Sequence, residues 1–258
     1  MKKLLYLLLA ALIYYVYANV DISQFLPNQQ QGRLAERGLA SIESIGSLRI
    51  KYTGYEVSYN YKYKIPNWVK YELTDVETDG PNARNGKKFR PDPNIMVPQA
   101  VDNDYRNSGW SRGHMAPAAD FKWSDQAMWD TFYFTNCCPQ NQSLNAGQWS
   151  TLEKKTREAA KKYGWVNVVS GPLVGDNIYG SIGENRVVVP DAFFKALQTK
   201  DQAIAFVMYN REDNENMQRC AMSVDKLEEL IGLDLFSELD DEVEDKLEAS
   251  YVLRYWGL

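Results

Sequence analysis

The sequence has 258 residues, of which 45% are hydrophobic and 13% aromatic, a composition that supports a packed globular protein and excludes an intrinsically disordered chain. Its formal net charge is -5, but eleven acidic residues and only two lysines lie between positions 223 and 248, so the rest of the chain carries a net charge of +4. The acidity is therefore local and does not exclude a polyanionic partner for a basic face elsewhere.

The N-terminal segment carries two lysines and then an apolar run from Leu4 to Ala18. The run is shorter than the roughly 20 residues that cross a bilayer, and it is typical of a secretory signal, residues 1–18, cleaved after Ala18. We therefore expect export to the periplasm or the extracellular space, and no stable membrane partner unless the N-terminus stays uncleaved as an anchor. Residues 19–46 are polar and predict a lead-in to a single domain over 47–258.

Period-two alternation of apolar and polar residues predicts strands between Leu48 and Thr74, interrupted at Pro66. Residues 75–107 are rich in Gly, Pro, Asn and Asp and predict a long loop. The segment MWDTFYFTNCCPQ predicts a strand that ends at Pro139. Further core strands are predicted in WVNVVSGPLV, NRVVVPDAFFKAL and QAIAFVMYN, of which the second continues into a short helix.

Two segments have the apolar spacing of amphipathic helices. NAGQWSTLEKKTREAAKKYG predicts a helix that stops at Gly164, and SVDKLEELIGLDLF predicts a helix capped by Ser223. The run SELDDEVEDKLEAS has consecutive carboxylates that would fan out around a helix or loop, so we expect a solvated face, with metal binding as the alternative. Strands and helices together predict one α+β domain.

The three cysteines, Cys137, Cys138 and Cys220, are too few for a disulfide framework. Neighbouring residues of a strand point to opposite faces, so at most one of the adjacent pair reaches Cys220. One disulfide with a leftover thiol and three buried thiols are both compatible with the sequence. With no CxxC pair and one histidine, few residues are available for a zinc site.

The stretch SGWSRGHMAPAADF contains the only histidine, His114, in a polar setting beside Arg112. An imidazole with an ordinary pKa near 6.5 can take a proton from water at neutral pH. The sequence has no P-loop and no GxGxxG, and nothing in it requires His114 to approach a cysteine. A single base acting with a single metal is the chemistry that remains.

Downstream, TNCCPQNQSLNAGQWSTLE is rich in amides and contains Asn136, Asn145 and Glu153. Taken alone, Asn145 could simply be a helix N-cap. On a helix beginning near Asn145, Glu153 would lie about 80° around the axis and about 12 Å along it, which favours contact with a shared ion through water.

SGWSRGHMAPAADF followed by TNCCPQNQSLNAGQWSTLE resembles the DNA/RNA non-specific endonuclease family of secreted bacterial nucleases and mitochondrial endonuclease G. The likeness extends over about residues 52–248. It implies an α+β, ββα-metal (His-Me finger) nuclease fold with a central antiparallel sheet and flanking helices. It also implies a Mg²⁺-dependent, sugar-non-specific endonuclease, with Mn²⁺ as an alternative metal, which hydrolyses DNA and RNA to 5′-phosphate ends.

The resemblance assigns a role to each motif residue. His114 matches the general base that activates water, and Asn145 matches the one direct protein ligand of Mg²⁺. Glu153 matches the acid that holds the water shell of the metal. Arg112 matches a phosphate-contacting arginine, and Asn136 an amide that orients the site.

The sequence departs from the family pattern at Ser111, where the family has an aspartate; Asp104 or Asp120 could take over its task. A family arginine near the first strands also lacks a clear counterpart, for which Lys62 or Lys64 could serve. Ser111 motivates an alternative function, that of a catalytically weakened family member that binds nucleic acid. A third hypothesis is a surface-anchored interaction domain that acts through its acidic C-terminal segment.

Overall fold

The computed structural model describes residues 46–212 and 216–258, so the predicted signal and nearly all of the lead-in lie outside the described residues. The strands are β1 (Ser47–Lys51), β2 (Glu56–Asn60), β3 (Ile65–Thr74), β4 (Ser111–His114), β5 (Cys137–Gln140), β6 (Trp165–Leu173), β7 (Ser181–Ile182), β8 (Val187–Val188), β9 (Ala192–Gln198), β10 (Ala203–Tyr209) and β11 (Ala221–Met222). The α-helices are α1 (Asp102–Tyr105), α2 (Asp125–Asp130), α3 (Gln142–Leu144), α4 (Ser150–Tyr163), α5 (Val224–Ile231) and α6 (Asp241–Glu248). In this part of the chain, no helix combines the length and hydropathy needed to cross a membrane.

The main sheet has seven strands in the order β1-β2-β3-β6-β9-β10-β11, and every neighbouring pair is antiparallel. The strands β4 and β5 pair separately as a two-stranded ribbon, and β7 pairs with β8. Alternate side chains of the central strands enter two apolar cores. Phe193 on β9 belongs to the core that includes Leu152 of α4 and the ribbon cysteines, whereas Phe194 belongs to the core that includes Leu227 of α5. The sheet therefore separates α4 and the ribbon from α5 and α6.

The strands predicted over residues 48–74 are present, but the predicted interruption at Pro66 is wrong. Pro66 lies inside β3, and the chain reverses before it, near Lys64, which has a φ of 58°. The β2–β3 register shifts between Ser58 and Tyr59, which leaves Asn67 opposite no residue of β2. Proline has no backbone N–H and cannot donate a hydrogen bond to a neighbouring strand. A bulge tolerates proline because it interrupts the hydrogen-bond ladder at that point.

Two other predicted elements are wrong. The short helix predicted in DAFFKAL is β9, a strand buried on both faces, whose continuous apolar run gives no period by which to tell it from a helix. In MWDTFYFTNCCPQ the strand is confined to β5, and the segment starts in α2, whose N-cap Ser124 accepts a hydrogen bond from the Ala127 amide at 3.2 Å. Pro139 lies within β5, which pairs with β4 alone.

Both predicted helices are confirmed. Helix α4 ends at Gly164, which has a φ of 93°, and α5 is capped by the Ser223 hydroxyl, which accepts a hydrogen bond from the Lys226 amide at 3.3 Å. The regular α-helix does not begin at Asn145, however, but at Ser150. Residues Asn145–Trp149 form a π turn broken at Gly147, whose φ of -101° and ψ of -106° are not helical.

All three cysteines are buried and none forms a disulfide, so the prediction of three buried thiols holds and the disulfide alternative is wrong. Burial, the largest effect, raises the pKa of Cys137 to about 12. A protonated thiol is a poor nucleophile, so this cysteine is inert at neutral pH.

Candidate active site

A cavity of about 730 Å³ lies between the β4–β5 ribbon, the start of α4 and the loop that precedes α1. Four of the five predicted site residues line it: Arg112, His114, Asn145 and Glu153. Three further cations, Arg84, Lys122 and Arg157, also line it. The cavity therefore combines an imidazole, an amide and a carboxylate with a positive surround that suits an anionic ligand.

The tight pairing of β4 with β5 depends on Gly113. In the ribbon His114 lies opposite Cys137, and Gly113 opposite Cys138. A Cβ at Gly113 would lie 2.7 Å from the Cβ of Gln140, closer than van der Waals contact allows, and a Cβ cannot move away without its backbone. The glycine of the RGH sequence is thus required for the ribbon to close.

The His114 ring is held by aromatic neighbours. Its centroid lies 4.5 Å from that of Phe89 and 5.1 Å from that of Phe132, which meets it edge-on. The His114 carbonyl accepts a hydrogen bond from Trp149 Nε1 at 3.3 Å. Burial, followed by the charge of Arg84, lowers the pKa of His114 to about 3. The imidazole is therefore neutral at physiological pH, and its Nε2 has no hydrogen-bond partner in the described part of the chain.

Asn145 is not the N-cap of a helix; it follows α3 as its C-cap. Asn141 is the N-cap of α3, since its Oδ1 accepts hydrogen bonds from the backbone amides of Ser143 at 2.9 Å and Leu144 at 3.3 Å. The interpretation of Asn145 as an N-cap is therefore wrong, and its amide is left available at the cavity. The break at Gly147 also means that the regular helical offset predicted between Asn145 and Glu153 does not apply, although both residues line the same cavity.

Glu153, in the first turn of α4, lies close to a buried lysine that sequence reasoning missed. Lys195 on β9 is fully buried, and its Nζ lies 4.7 Å from the Trp149 ring centroid without a hydrogen-bond partner among the described residues. Burial raises the pKa of Glu153 to about 7, and the charge of Lys195 is the largest opposing effect. The sequence signal was a lysine within the apolar run AFFKALQ, which could have been recognised once that run was assigned as a buried strand.

Arg112 has a carboxylate partner that sequence reasoning also missed. Its Nη2 lies 2.7 Å from Asp102 Oδ1, and its guanidinium lies 5.3 Å from the Tyr105 ring centroid. Ser111, at the place of the family aspartate, donates a hydrogen bond to Gln142 Oε1. The carboxylate that orients the arginine thus comes from α1 and not from the ribbon.

Neither carboxylate proposed to replace the missing aspartate does so. Asp104 accepts hydrogen bonds from the Val101 amide at 2.8 Å and from the side chain of Asn185 at 2.9 Å. Asp120 pairs with Arg157 at 2.7 Å and also binds Tyr71. Both are buried and committed to other partners, so both predictions are wrong.

Asn136 is not part of the cavity. It is fully buried; its Oδ1 accepts a hydrogen bond from the Ala116 amide at 2.8 Å, and its Nδ2 donates to the carbonyls of Ala116 and Thr131, each at 2.9 Å. Asn136 therefore does not face the reacting groups. Its hydrogen bonds hold the turn that follows His114, which agrees with the predicted role of an amide that orients the site.

Lys62 and Lys64, suggested as counterparts of the family arginine, lie in the β2–β3 turn and are not among the cavity residues. Lys64 Nζ instead donates to the Lys62 carbonyl at 3.2 Å. Arg84, in the loop after β3, does line the cavity. It lies within the segment predicted as a long loop, where composition alone gave no reason to single it out.

The histidine lies on a two-stranded ribbon, the amide lies in the turn just before α4, and the carboxylate lies in the first turn of α4. This arrangement defines the ββα-metal class of α+β proteins. A chain in the crystal structure of the EndoG/EndoGI complex has a similar fold, with a TM-score of 0.70. The match covers 78% of this chain and 91% of that chain, at 26% sequence identity. The sequence profile described as DNA/RNA non-specific endonuclease matches residues 40–242. The chain belongs to the DNA/RNA non-specific endonuclease family.

Similar curated proteins include the mitochondrial nuclease EXOG of Danio rerio, 40% identical over 210 residues, which cover 74% of this chain and 61% of that protein. Endonuclease G, mitochondrial, of Homo sapiens is 33% identical over 219 residues, which cover 78% of this chain and 72% of that protein. The chain spans only 57% to 61% of the EXOG relatives from Homo sapiens and Danio rerio. Because these relatives are mitochondrial, the expectation of export to the periplasm or the extracellular space is wrong.

Proposed function

We propose that this chain is a Mg²⁺-dependent nuclease that hydrolyses phosphodiester bonds of DNA and RNA, with His114 as the general base. The observation that carries the proposal is the convergence of a neutral imidazole, an amide, a carboxylate and several cations on one cavity. Membership of the family, and the nuclease names of the relatives, support the reaction class.

The donor set at the cavity fits a magnesium ion. Mg²⁺ prefers oxygen ligands, accepts few of them from protein and keeps several waters. Asn145 would bind it directly through its amide oxygen, and Glu153 would hold one of its waters. When bound, Mg²⁺ would neutralise charge on the phosphate and stabilise the leaving oxygen. Mn²⁺ favours the same oxygen ligands and is the alternative metal.

His114 would take a proton from water as that water attacks phosphorus in line with the 3′ oxygen. The new bond joins the water oxygen to phosphorus, and the bond that breaks joins phosphorus to the 3′ oxygen, which leaves a 5′-phosphate and a 3′-hydroxyl. Phe89 and Phe132 fix the ring, and its low pKa keeps it in the basic form. Arg112, oriented by Asp102, would donate to a non-bridging phosphate oxygen.

The cavity cations would contact the phosphate backbone and not the base edges. Phosphate contacts position a nucleic acid without conveying its sequence. The backbone phosphate is common to DNA and RNA, so a site built on Arg84, Arg112 and Lys122 would accept both. We therefore expect little base specificity and little discrimination between the two sugars.

The test is His114→Ala, assayed on plasmid DNA and on RNA with Mg²⁺ and with excess EDTA. Loss of a general base is expected to slow cleavage by about 10² to 10⁴-fold. Lys62→Ala, outside the cavity, is the matched control and should cleave like wild type. Cleavage by folded His114→Ala at near the wild-type rate would contradict the base, and wild-type cleavage in EDTA would contradict the metal.

The alternative of a weakened nucleic-acid-binding protein rests on Ser111. Asp102 supplies a carboxylate to Arg112 in this structure, which removes the main reason to expect weakened catalysis. The same assay separates the two functions. A protein that binds without cutting would retain DNA in a salt-sensitive manner and produce no fragments.

A further inference from the structure

Helices α5 and α6 bring three carboxylates together on the face of the sheet opposite the active site. Asp225 and Glu228 share one face of α5, because they are three residues apart, and Glu248 is the last residue of α6. One oxygen from each of the three lies within 4.8 Å of the others. We call this set the acidic cluster.

The acidic cluster lines a second cavity of about 480 Å³, which is separate from the active site. Six carboxylates line this cavity: Asp225, Glu228, Asp234, Glu244, Asp245 and Glu248. Among the residues that the structure describes, no lysine or arginine is part of its lining. Lys226 of α5 instead pairs with Glu229, outside the cavity. The negative charge of the cavity is thus not neutralised by cations within its lining.

Glu248 is the member of the cluster that cannot be explained as a solvated surface acid. It is 3% exposed, and its Oε1 is buried with no hydrogen-bond partner among the described residues. The carboxylate of Glu228 is fixed in place, since its Oε1 accepts a hydrogen bond from the Leu235 amide at 2.7 Å. A buried unpaired carboxylate is unfavourable unless a cation or a proton accompanies it. The expectation of a solvated acidic face therefore fails at this position.

We propose that the acidic cluster binds one Ca²⁺ ion, with Asp225, Glu228 and Glu248 as protein ligands. Ca²⁺ binds oxygen at about 2.3–2.6 Å, so two of its ligands lie at most about 5 Å apart. The cluster oxygens already meet that limit without movement. Opposite ligands of Mg²⁺ are only about 4 Å apart and must approach ideal octahedral geometry. Several carboxylates in an open cavity suit the larger and more flexible Ca²⁺ shell.

The sheet and its two cores separate the acidic cluster from His114. We therefore expect Ca²⁺ to stabilise the packing of α6 on α5 rather than to take part in catalysis. Binding to the folded state alone raises the melting temperature as the concentration of the ion rises.

The experiment uses the full chain with Asn145→Ala, so that an ion at the active site does not obscure the result. Calcium chloride is titrated calorimetrically, and thermal melts are recorded with and without calcium. We expect one ion bound per chain and a melting temperature that rises with calcium concentration. Adding Glu248→Gln should abolish both effects and raise the calcium-free melting temperature, because the buried charge is removed. Adding Glu229→Gln, on α5 but outside the cavity, should leave both effects intact.

Three results would overturn the proposal. One is the absence of binding heat and of a melting shift in the Asn145→Ala protein up to about 10 mM calcium, beyond the weakest natural calcium modules. Another is an unchanged calcium response in the protein that also carries Glu248→Gln. The third is a calcium-free melting temperature that Glu248→Gln leaves unchanged, which would mean that a proton already neutralises Glu248 and that no cation is needed there. None of these outcomes depends on nuclease activity.

Discussion

Glu153→Gln should make the metal-free protein more stable at alkaline pH. Folding raises the pKa of Glu153 from its ordinary 4.5 to about 7. A carboxyl with a raised pKa contributes stability that is fully present below about pH 4.5 and is lost as the pH rises through about 7. At about 1.4 kcal/mol per pKa unit, the loss amounts to roughly 3 kcal/mol. Glutamine has the shape of the protonated carboxyl and cannot ionise, so the variant avoids this loss.

The measurement is urea unfolding of both proteins in EDTA at about pH 4.5 and about pH 8. We expect similar free energies of unfolding at the lower pH and a gap of up to about 3 kcal/mol in favour of the variant at the higher one. Glu158→Gln, on the same helix but more exposed, should show no such gap. A gap of equal size at both pH values would refute the argument, since it could not arise from ionisation. Added Mg²⁺ should then stabilise the wild type more than the variant.

Three further substitutions test the surroundings of the site. Asp102→Asn should cost less than about 1 kcal/mol in urea unfolding, because its ion pair is partly exposed, yet it should raise the KM for plasmid by releasing Arg112. Lys195→Met should raise the pKa of Glu153 further and so leave less of the carboxylate form that would hold a water of Mg²⁺. In a titration of cleavage rate against Mg²⁺, the midpoint should therefore move to a several-fold higher concentration. Gly113→Ala brings its Cβ to 2.7 Å from that of Gln140 inside the ribbon. The substitution should lower the free energy of unfolding by about 2 kcal/mol and abolish cleavage. An unchanged KM, an unchanged Mg²⁺ midpoint or unchanged stability would contradict the respective assignment.

Local sequence signals predicted the elements that depend on local physics. The stop of α4 at Gly164 and the start of α5 at Ser223 follow from conformational freedom and capping, which act within one turn. The motif residues Arg112, His114 and Glu153 could be named because their spacing matches a known family. That resemblance also gave the α+β class and the ββα-metal fold, which the comparisons confirm.

What the sequence could not predict depends on contacts between distant segments. Asp102 pairs with Arg112, which lies ten residues later on another element. Lys195 lies on β9, and its charge acts on Glu153 of α4. Asn136 has the residue type of a catalytic amide, and only its burial against Ala116 distinguishes its role. The run that became β9 has apolar residues on both faces, so no periodicity could distinguish strand from helix.

The placement of α5 and α6 behind the sheet makes the molecule an electric dipole, with excess positive charge around the larger cavity and excess negative charge on its far side. A strand of like-charged phosphates would exert a torque on such a body before touching it, turning the cavity toward the strand and the acidic helices away. The torque would weaken beyond about 8 Å at physiological ionic strength, so encounters in dilute buffer would be better oriented than those in the cell.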